Sequence, residues 1–295
     1  MSNITIFTAP KAFSDPHINI IQRNAIRSWK ALSAETEVIL IGDDPGIKET
    51  AAELGVMHIP DVEKNELGTP LVNSIFKLAR DAASHELLIY LNADIILSPD
   101  CLSVIDQILQ LNMDFLLVGR RWDVDITEEL EFKNGWSDDL QKLLATTGKL
   151  RTVTAMDYFI FPRHLFKEIP PFAIGRGGWD NWMIFNAENQ PWPVIDITPS
   201  LSIIHQNHDY GHLPNGTAHY DLEESHHNVV LAGGMRSSYD LLDVSLVYKD
   251  GVICRKKLSL PRLFRKLERV VMPVEQTGWR WQLTRGFRRL GRKFS

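Results

Sequence analysis

Leu88-Ile-Tyr-Leu-Asn-Ala-Asp-Ile-Ile-Leu97 is almost unbroken apolar sequence, interrupted only by Asn92 and Asp94. A run this long and this rich in β-branched residues reads as a strand covered by protein on both faces. Two polar side chains inside it are costly unless they have partners. If the strand ends at Tyr90 or Leu91, both fall just beyond its carboxyl end. That is the edge at which open α/β sheets bind ligands. Bonding of both side chains to nearby backbone is the plainer alternative.

The flanking sequence supports such a sheet. Ile4–Thr8 and the segments 37–42, 56–60 and 115–119 read as further strands. Between them, helical stripes run over 16–32, 46–54, 70–82 and 100–109. Asp15-Pro16 and Thr69-Pro70 each place a capping residue before a proline suited to the first helical turn. This alternation predicts a mainly parallel, wound α/β sheet flanked by helices. From about residue 121 the pattern is less regular. It holds a helix at 136–147, a strand at 154–161 carrying Asp157, and the glycine-rich loop Gly175-Arg-Gly-Gly-Trp-Asp-Asn-Trp182 entering a helix. Short strands follow at 193–197 and 200–204, then a helix at 218–232 and a hairpin turning at Asp250-Gly251.

Composition is that of an ordinary soluble protein, 44% hydrophobic and 23% charged over 295 residues. The two cysteines, Cys101 and Cys254, have no ligand spacing, which predicts reduced thiols in a cytoplasmic setting. No basic segment leading into an apolar run opens the chain, and no apolar stretch approaches the roughly 20 residues of a spanning helix. The net charge of −5 conceals an asymmetry. From Arg255 to Ser295 there are 13 Lys/Arg and 2 Asp/Glu, whereas residues 1–254 hold 19 and 35. The chain therefore divides into an acidic domain, 1–254, and a basic tail, 255–295. In the tail Leu260, Leu263, Leu267 and Val271 recur among cations, followed by Trp279, Trp281, Leu283, Phe287 and Leu290. A basic amphipathic helix of this kind suits an anionic membrane surface. Packing on the acidic body is the alternative. Nucleic acid is not expected, because no binding module is present and the body would repel phosphates.

Loops after the first, second and fourth strands should converge at one sheet edge. They carry Thr8-Ala9-Pro10, Asp43 and Asn92-Ala93-Asp94. Gly68, Thr69 and Asn73 fall at an expected helix N-terminus, where N–H groups favour anions. Six of the ten histidines lie between His205 and His227, and His205 and His208 can share one face of a turn. No cysteine or HExxH spacing supports a zinc site.

The strand-end Asn92-Ala93-Asp94 resembles the DxD motif of GT-A glycosyltransferases, which binds ribose and a divalent metal on the donor diphosphate. Gly177-Gly-Trp-Asp-Asn-Trp182 resembles the acidic loop-to-helix motif of inverting members, and His205 or His208 the late histidine that completes the metal site in some. The resemblance spans about residues 3–212. It implies a GT-A, Rossmann-like fold with a donor half at about 1–120 and an acceptor half at about 121–254. It implies a glycosyltransferase that uses a nucleotide-diphosphate sugar, with Mn2+ or Mg2+ held by Asp94 and either His205 or His208. Asn92 and Asp43 would meet the nucleoside, and Thr8, Ala9, Pro10, Gly68, Thr69, Asn73 and Ala93 the rest of the donor. Asp180 would be the base of an inverting transfer, and Asp157 is a second candidate carboxylate, either orienting the acceptor or bonded structurally. In a retaining enzyme Asp180 would only bind sugar. Trp179 and Trp182 offer flat faces to sugar rings, and Arg176, with Arg120 and Arg121, offers charge to anionic groups. The implied acceptor is a saccharide or lipid-linked saccharide, met in the cytoplasm or at the inner membrane face through 255–295. One departure stands out: Asn92 replaces the first aspartate of the motif and removes a negative charge. Three alternatives remain, of which a histidine-based hydrolase is the most distant. A sugar-phosphate nucleotidyltransferase would want a glycine-rich loop where Thr8-Ala-Pro-Lys-Ala-Phe13 has none, and a non-catalytic carbohydrate-binding protein would keep the scaffold alone.

Overall fold

A computed structural model describes residues 3–208, 221–273 and 277–294. β1 (Ile4–Thr8), β2 (Glu37–Ile41), β3 (Met57–Ile59) and β4 (Leu87–Leu91) are parallel, with β1 between β2 and β4. The connecting helices are α1 (Pro16–Lys30), α2 (Ile47–Leu54) and α3 (Val72–Ala82). Asp15 caps α1 by accepting from the N–H groups of His17 and Ile18, both at 2.9 Å.

The apolar run Leu88–Leu97 is two strands. β4 ends at Leu91, the chain turns through Asn92-Ala93-Asp94, and β5 (Ile95–Leu97) joins a different sheet. The turn is closed by the Ile95 N–H donating to the Asn92 carbonyl at 3.1 Å. After α4 (Asp100–Leu109) come β6 (Leu116–Val118), β7 (Arg121–Val124), α5 (Trp136–Thr147), β8 (Lys149–Leu150) and β9 (Tyr158–Pro162). Then follow α6 (Trp179–Glu188), β10 (Val194–Asp196), β11 (Ile203–Gln206), α7 (Glu223–Leu231), and the hairpin β12 (Leu246–Lys249) and β13 (Val252–Arg255). Two helices, α8 (Leu260–Val271) and α9 (Gly278–Lys293), close the chain.

Among the described residues the large sheet has the order β13-β12-β10-β6-β9-β4-β1-β2-β3. It is parallel except where β9 runs against β4 and β6, and β13 against β12. The second sheet, β5-β11-β7-β8, was not anticipated, because its strands are two to four residues long and leave no readable period. Along β1, Ile4 and Ile6 enter one core with Trp29 and Leu40, while Phe7 enters the other with Phe76, Tyr90 and Phe161. Both faces of the central strands are therefore covered, which accounts for their continuous apolar sequence.

Three boundaries differ from expectation. α3 starts at Val72 rather than after Thr69, and no side chain caps it. The backbone at 70–72 pairs instead with 172–174, through Val72 N–H to Phe172 O and Ile174 N–H to Pro70 O. α7 covers Glu223–Leu231, and the part of the expected helix at 218–220 lies outside the described residues, as does His212. The basic segment expected from residue 255 begins with the last residue of β13. No helix among the described residues is long and apolar enough to cross a membrane.

Candidate active site

A cleft of about 1060 Å³ opens where β1 and β4 end, and Asn92, Ala93 and Asp94 all line it. Tyr90 is buried beneath them, and its hydroxyl donates to Asn92 Oδ1 at 3.0 Å. The Asn92 amide donates from Nδ2 to Asp157 Oδ1 at 2.6 Å, and its backbone N–H donates to the Asp157 carbonyl at 3.0 Å. Both ends of the Asn92 side chain are thus engaged. This gives a physical reason for the departure from two aspartates, because a carboxylate here would meet the Asp157 carboxylate at hydrogen-bond distance.

Asp94 faces two histidines. Its Oδ2 lies 3.1 Å from His208 Nε2 and 3.6 Å from His205 Nε2. The ligand atoms of Asp94, His205 and His208 all fall within 4.8 Å of one another. The fold brings them together by pairing β5 with β11 at Ile95 and His205. Gln206, buried on β11, donates to the carbonyls of Ile21 and Asp94 and so pins the Asp94 turn against α1. His208 follows Asn207, whose N–H donates to the Val124 carbonyl and whose side chain donates to Asp125. Burial pushes the Asp94 carboxyl up, but the charge of His205 and the hydrogen bond and charge of His208 outweigh it, holding Asp94 well below the usual carboxylate range. Its Oδ1 is buried and accepts no hydrogen bond among the described residues. An anionic oxygen left open beside two imidazoles is a donor set that fits a divalent cation.

Behind the set stands a carboxylate that sequence reasoning gave no role. Asp123 Oδ1 lies 3.3 Å from His205 Nδ1, the ring nitrogen opposite the one facing Asp94. The parallel register of β7 and β11 places His205 directly beside Asp123. A ring held this way presents Nε2 to a cation. Arg121, two residues earlier, reaches Asp123 at 3.1 Å and Asp157 at 2.7 Å. The charged network therefore runs from the histidines through Asp123 and Arg121 to Asp157 and Asn92. The available signal was the alternation Arg121-Trp-Asp123, which puts both charges on one side of a strand.

Asp157 and Asp180 also line the cleft. Asp180 sits in the first turn of α6, after Gly178 at φ 104°. That conformation favours glycine, and a Cβ there would stand 3.4 Å from Val229 Cγ2. Burial pushes the Asp180 carboxyl up to about 6; the Asn181 N–H opposes the rise and the charge of Asp157 adds to it. Arg176 lines the cleft and is ion-paired to Glu224 at 2.5 Å.

The remaining expected residues divide. Ala9, Pro10, Gly68 and Thr69 line the cleft, whereas Thr8, Asp43, Asn73 and Trp182 are not among the residues that do. Thr8 is fully buried in β1, and Asp43 is ion-paired with Lys64, leaving its neighbour Asp44 at the cleft. Gly68 and Thr69 lie in a turn before α3, and both their N–H groups donate to Asn65 rather than standing open at a helix start. Trp182 is buried against Phe172, with ring centroids 5.4 Å apart. Trp179 lines the cleft but is largely buried, edge-on to Tyr90 at 5.2 Å. Apolar surface of this size is more stable under α6 than in water, so neither ring lies open as a flat sugar platform.

No family model matches the chain, and no curated protein matches it. Solved structures similar to it include TarS of S. aureus in complex with UDP-GlcNAc, at 14% identity and TM-score 0.49, covering 94% of this chain and 82% of that one. Glucosyl-3-phosphoglycerate synthase from Mycobacterium tuberculosis, with Mn2+, UDP and phosphoglyceric acid, is similar at 12% identity and TM-score 0.48, over 88% and 87%. Mannosyltransferase PcManGT from Pyrobaculum calidifontis, with GDP-Man and Mn2+, is similar at 13% and TM-score 0.44, over 71% and 58%.

Proposed function

We propose that the chain is a metal-dependent glycosyltransferase that moves a sugar from a nucleotide-diphosphate donor to an acceptor hydroxyl. One observation carries the reading: a cation-fitting set, Asp94, His205 and His208, shares a cleft with a carboxyl lifted to about 6, Asp180. Two imidazoles and a carboxylate suit Mn2+ better than Mg2+, which prefers oxygen ligands. When bound, the cation supplies positive charge for the departing diphosphate.

The chain's own residues supply the rest. Asp123 orients His205, and Gln206 fixes the Asp94 turn. Arg121 and Asn92 hold both oxygens of Asp157, so its charge is fixed near Asp180 and raises the affinity of Asp180 for a proton. A carboxylate whose pKa is near 6 is ionised at neutral pH and takes the proton of an acceptor hydroxyl more readily than an ordinary aspartate. This assigns Asp180 as the base of an inverting transfer, with Asp157 as its positioning partner. Ala9, Pro10, Gly68, Thr69 and Asn92 form the donor side, with Lys11 lining the same cleft. The acceptor is a saccharide or a lipid-linked saccharide. Cys101 and Cys254 are both free thiols, which suits a cytoplasmic place of work.

The test is release of nucleoside diphosphate from a panel of nucleotide sugars with Mn2+ and saccharide acceptors. Release should require Mn2+ and be lost in Asp94→Ala. Release of pyrophosphate from a nucleoside triphosphate and a sugar phosphate would instead make the protein a nucleotidyltransferase.

A further inference from the structure

α8 is amphipathic with its polarity inverted. Arg262, Arg265 and Glu268 are its buried side, with Glu268 only 2% exposed. Leu263, Leu267 and Val270 face outward, Val270 at 76% exposure. A helix on a soluble body normally does the reverse. The acidic body explains the burial of the charges. Arg265 and Arg269 each reach Asp243 at 2.8 Å, and Glu268 joins Arg265 at 3.0 Å to Arg288 of α9 at 2.8 Å. The cations of α8 that face inward are therefore occupied, and the leucines are left outside.

α9 continues that outer side. Trp279, Leu283 and Leu290 recur at intervals of four and seven residues and are all exposed, Trp279 at 70%. The helices run antiparallel, because Phe264 meets Phe287 and Phe294 while Arg280, at the other end, donates to the Val271 carbonyl. With those contacts fixing which sides meet, helical periodicity brings the two apolar stripes to the same side of the hairpin. Lys266, Arg289 and Lys293 are exposed and form no ion pair among the described residues. A second copy of the chain would set these cations against their own equivalents, which opposes self-association.

We propose that the outer face of α8 and α9 docks on an anionic lipid bilayer. The hairpin lies in the interface plane, with Leu263, Leu267, Val270, Trp279 and Leu283 at the acyl boundary and the exposed cations among anionic headgroups. On its inner side Pro261, Phe287, Arg288 and Arg292 line the cleft. Docking therefore sets the cleft beside the bilayer, where an acceptor carried on a lipid would be presented. The docking itself rests on the hairpin alone, and only this last consequence rests on the sugar-transfer reading.

Flotation of the full chain with phosphatidylcholine vesicles, with and without phosphatidylglycerol, tests it. The protein should float with the anionic vesicles, less so as salt rises, and remain in solution with neutral ones. The double variant Val270→Asp, Trp279→Asp should bind at least about tenfold more weakly. Its thermal unfolding and nucleotide-sugar binding should match the parent, since both residues are exposed and outside the cleft. No binding to anionic vesicles, or equal binding by the variant, overturns the proposal. So does a concentration-dependent dimer that the variant abolishes without any vesicle binding, which would make the face a contact between copies. Vesicle binding is read without a sugar donor, so a failure of the transferase reading leaves this result standing.

Discussion

Replacing Asp180 with Asn should make the protein more stable and the reaction slower, and both effects should depend on pH. Burial and the neighbouring Asp157 lift the Asp180 carboxyl from 3.8 to about 6 in the folded chain. A carboxyl whose folded pKa exceeds its unfolded value holds its proton more tightly in the fold. It leaves stability unaffected below about pH 4, lowers it as pH rises from about 4 to about 6, and keeps it low above that. At about 1.4 kcal/mol per pKa unit, the lift corresponds to about 3 kcal/mol. Asn removes the charge but weakens bonding to the N–H groups at the start of α6, so the net gain at pH 8 should be about 1–3 kcal/mol. It should vanish near pH 4. Urea unfolding of both proteins at pH 4, 6 and 8 reads the difference. In the transfer assay kcat should fall by about 10²–10⁴, with little change in KM for the donor. The parent's kcat should rise with pH through about 6, and the variant should lack that limb. Parallel stability curves at every pH would refute the buried-carboxyl argument. Full kcat in a folded variant would remove Asp180 as the base.

Asn92→Asp restores the second aspartate of a DxD motif but sets it 2.6 Å from Asp157 Oδ1. It should destabilise by about 1–3 kcal/mol at neutral pH and by less at pH 4, where one carboxyl protonates; urea unfolding at both values checks this. Asp123→Asn removes the carboxylate behind His205 and should weaken Mn2+ binding about 10–100-fold by calorimetric titration, with the fold intact by circular dichroism. Glu268→Ala leaves Arg265 its bond to Asp243 but removes the carboxylate that joins it to Arg288, and should cost about 1–3 kcal/mol in thermal unfolding, whereas Val270→Asp in the same helix should stay within about 0.5 kcal/mol.

The first half of the fold was legible because each strand is buried on both faces and each helix carries a stripe. The capping pair at Asp15-Pro16 marks α1, and Leu91 ends β4 where two polar residues make further apolar strand impossible. Asp94, His205, His208 and Asp180 were nameable as residue types placed next to strand ends or glycines. Their arrangement was not, because it depends on β5 and β11 pairing in a second sheet too short to leave a period. Asp123 and Gln206 were missed for the same reason, since each acts only through a neighbour brought from a distant segment. The two tryptophans of α6 looked alike in sequence, yet Trp179 lines the cleft and Trp182, three residues on, packs against Phe172. In α8 the charge pattern was visible and its sense was not. The sequence left a membrane face and packing on the acidic body as alternatives, and only Asp240 and Asp243 beneath Arg265 and Arg269 show which side of the helix meets the body.

The central claim is that Asp94 anchors a metal-dependent donor site. Thermal shift of the parent and Asp94→Ala with nucleotide-diphosphate sugars, with and without Mn2+, tests it most directly. In Mn2+ one donor should stabilise the parent by about 2.7 kcal/mol at a hundred times its Kd. Omitting the metal or removing the Asp94 carboxylate should each abolish that stabilisation. Equal stabilisation of Asp94→Ala, or donor binding by the parent that is indifferent to Mn2+, would contradict the account.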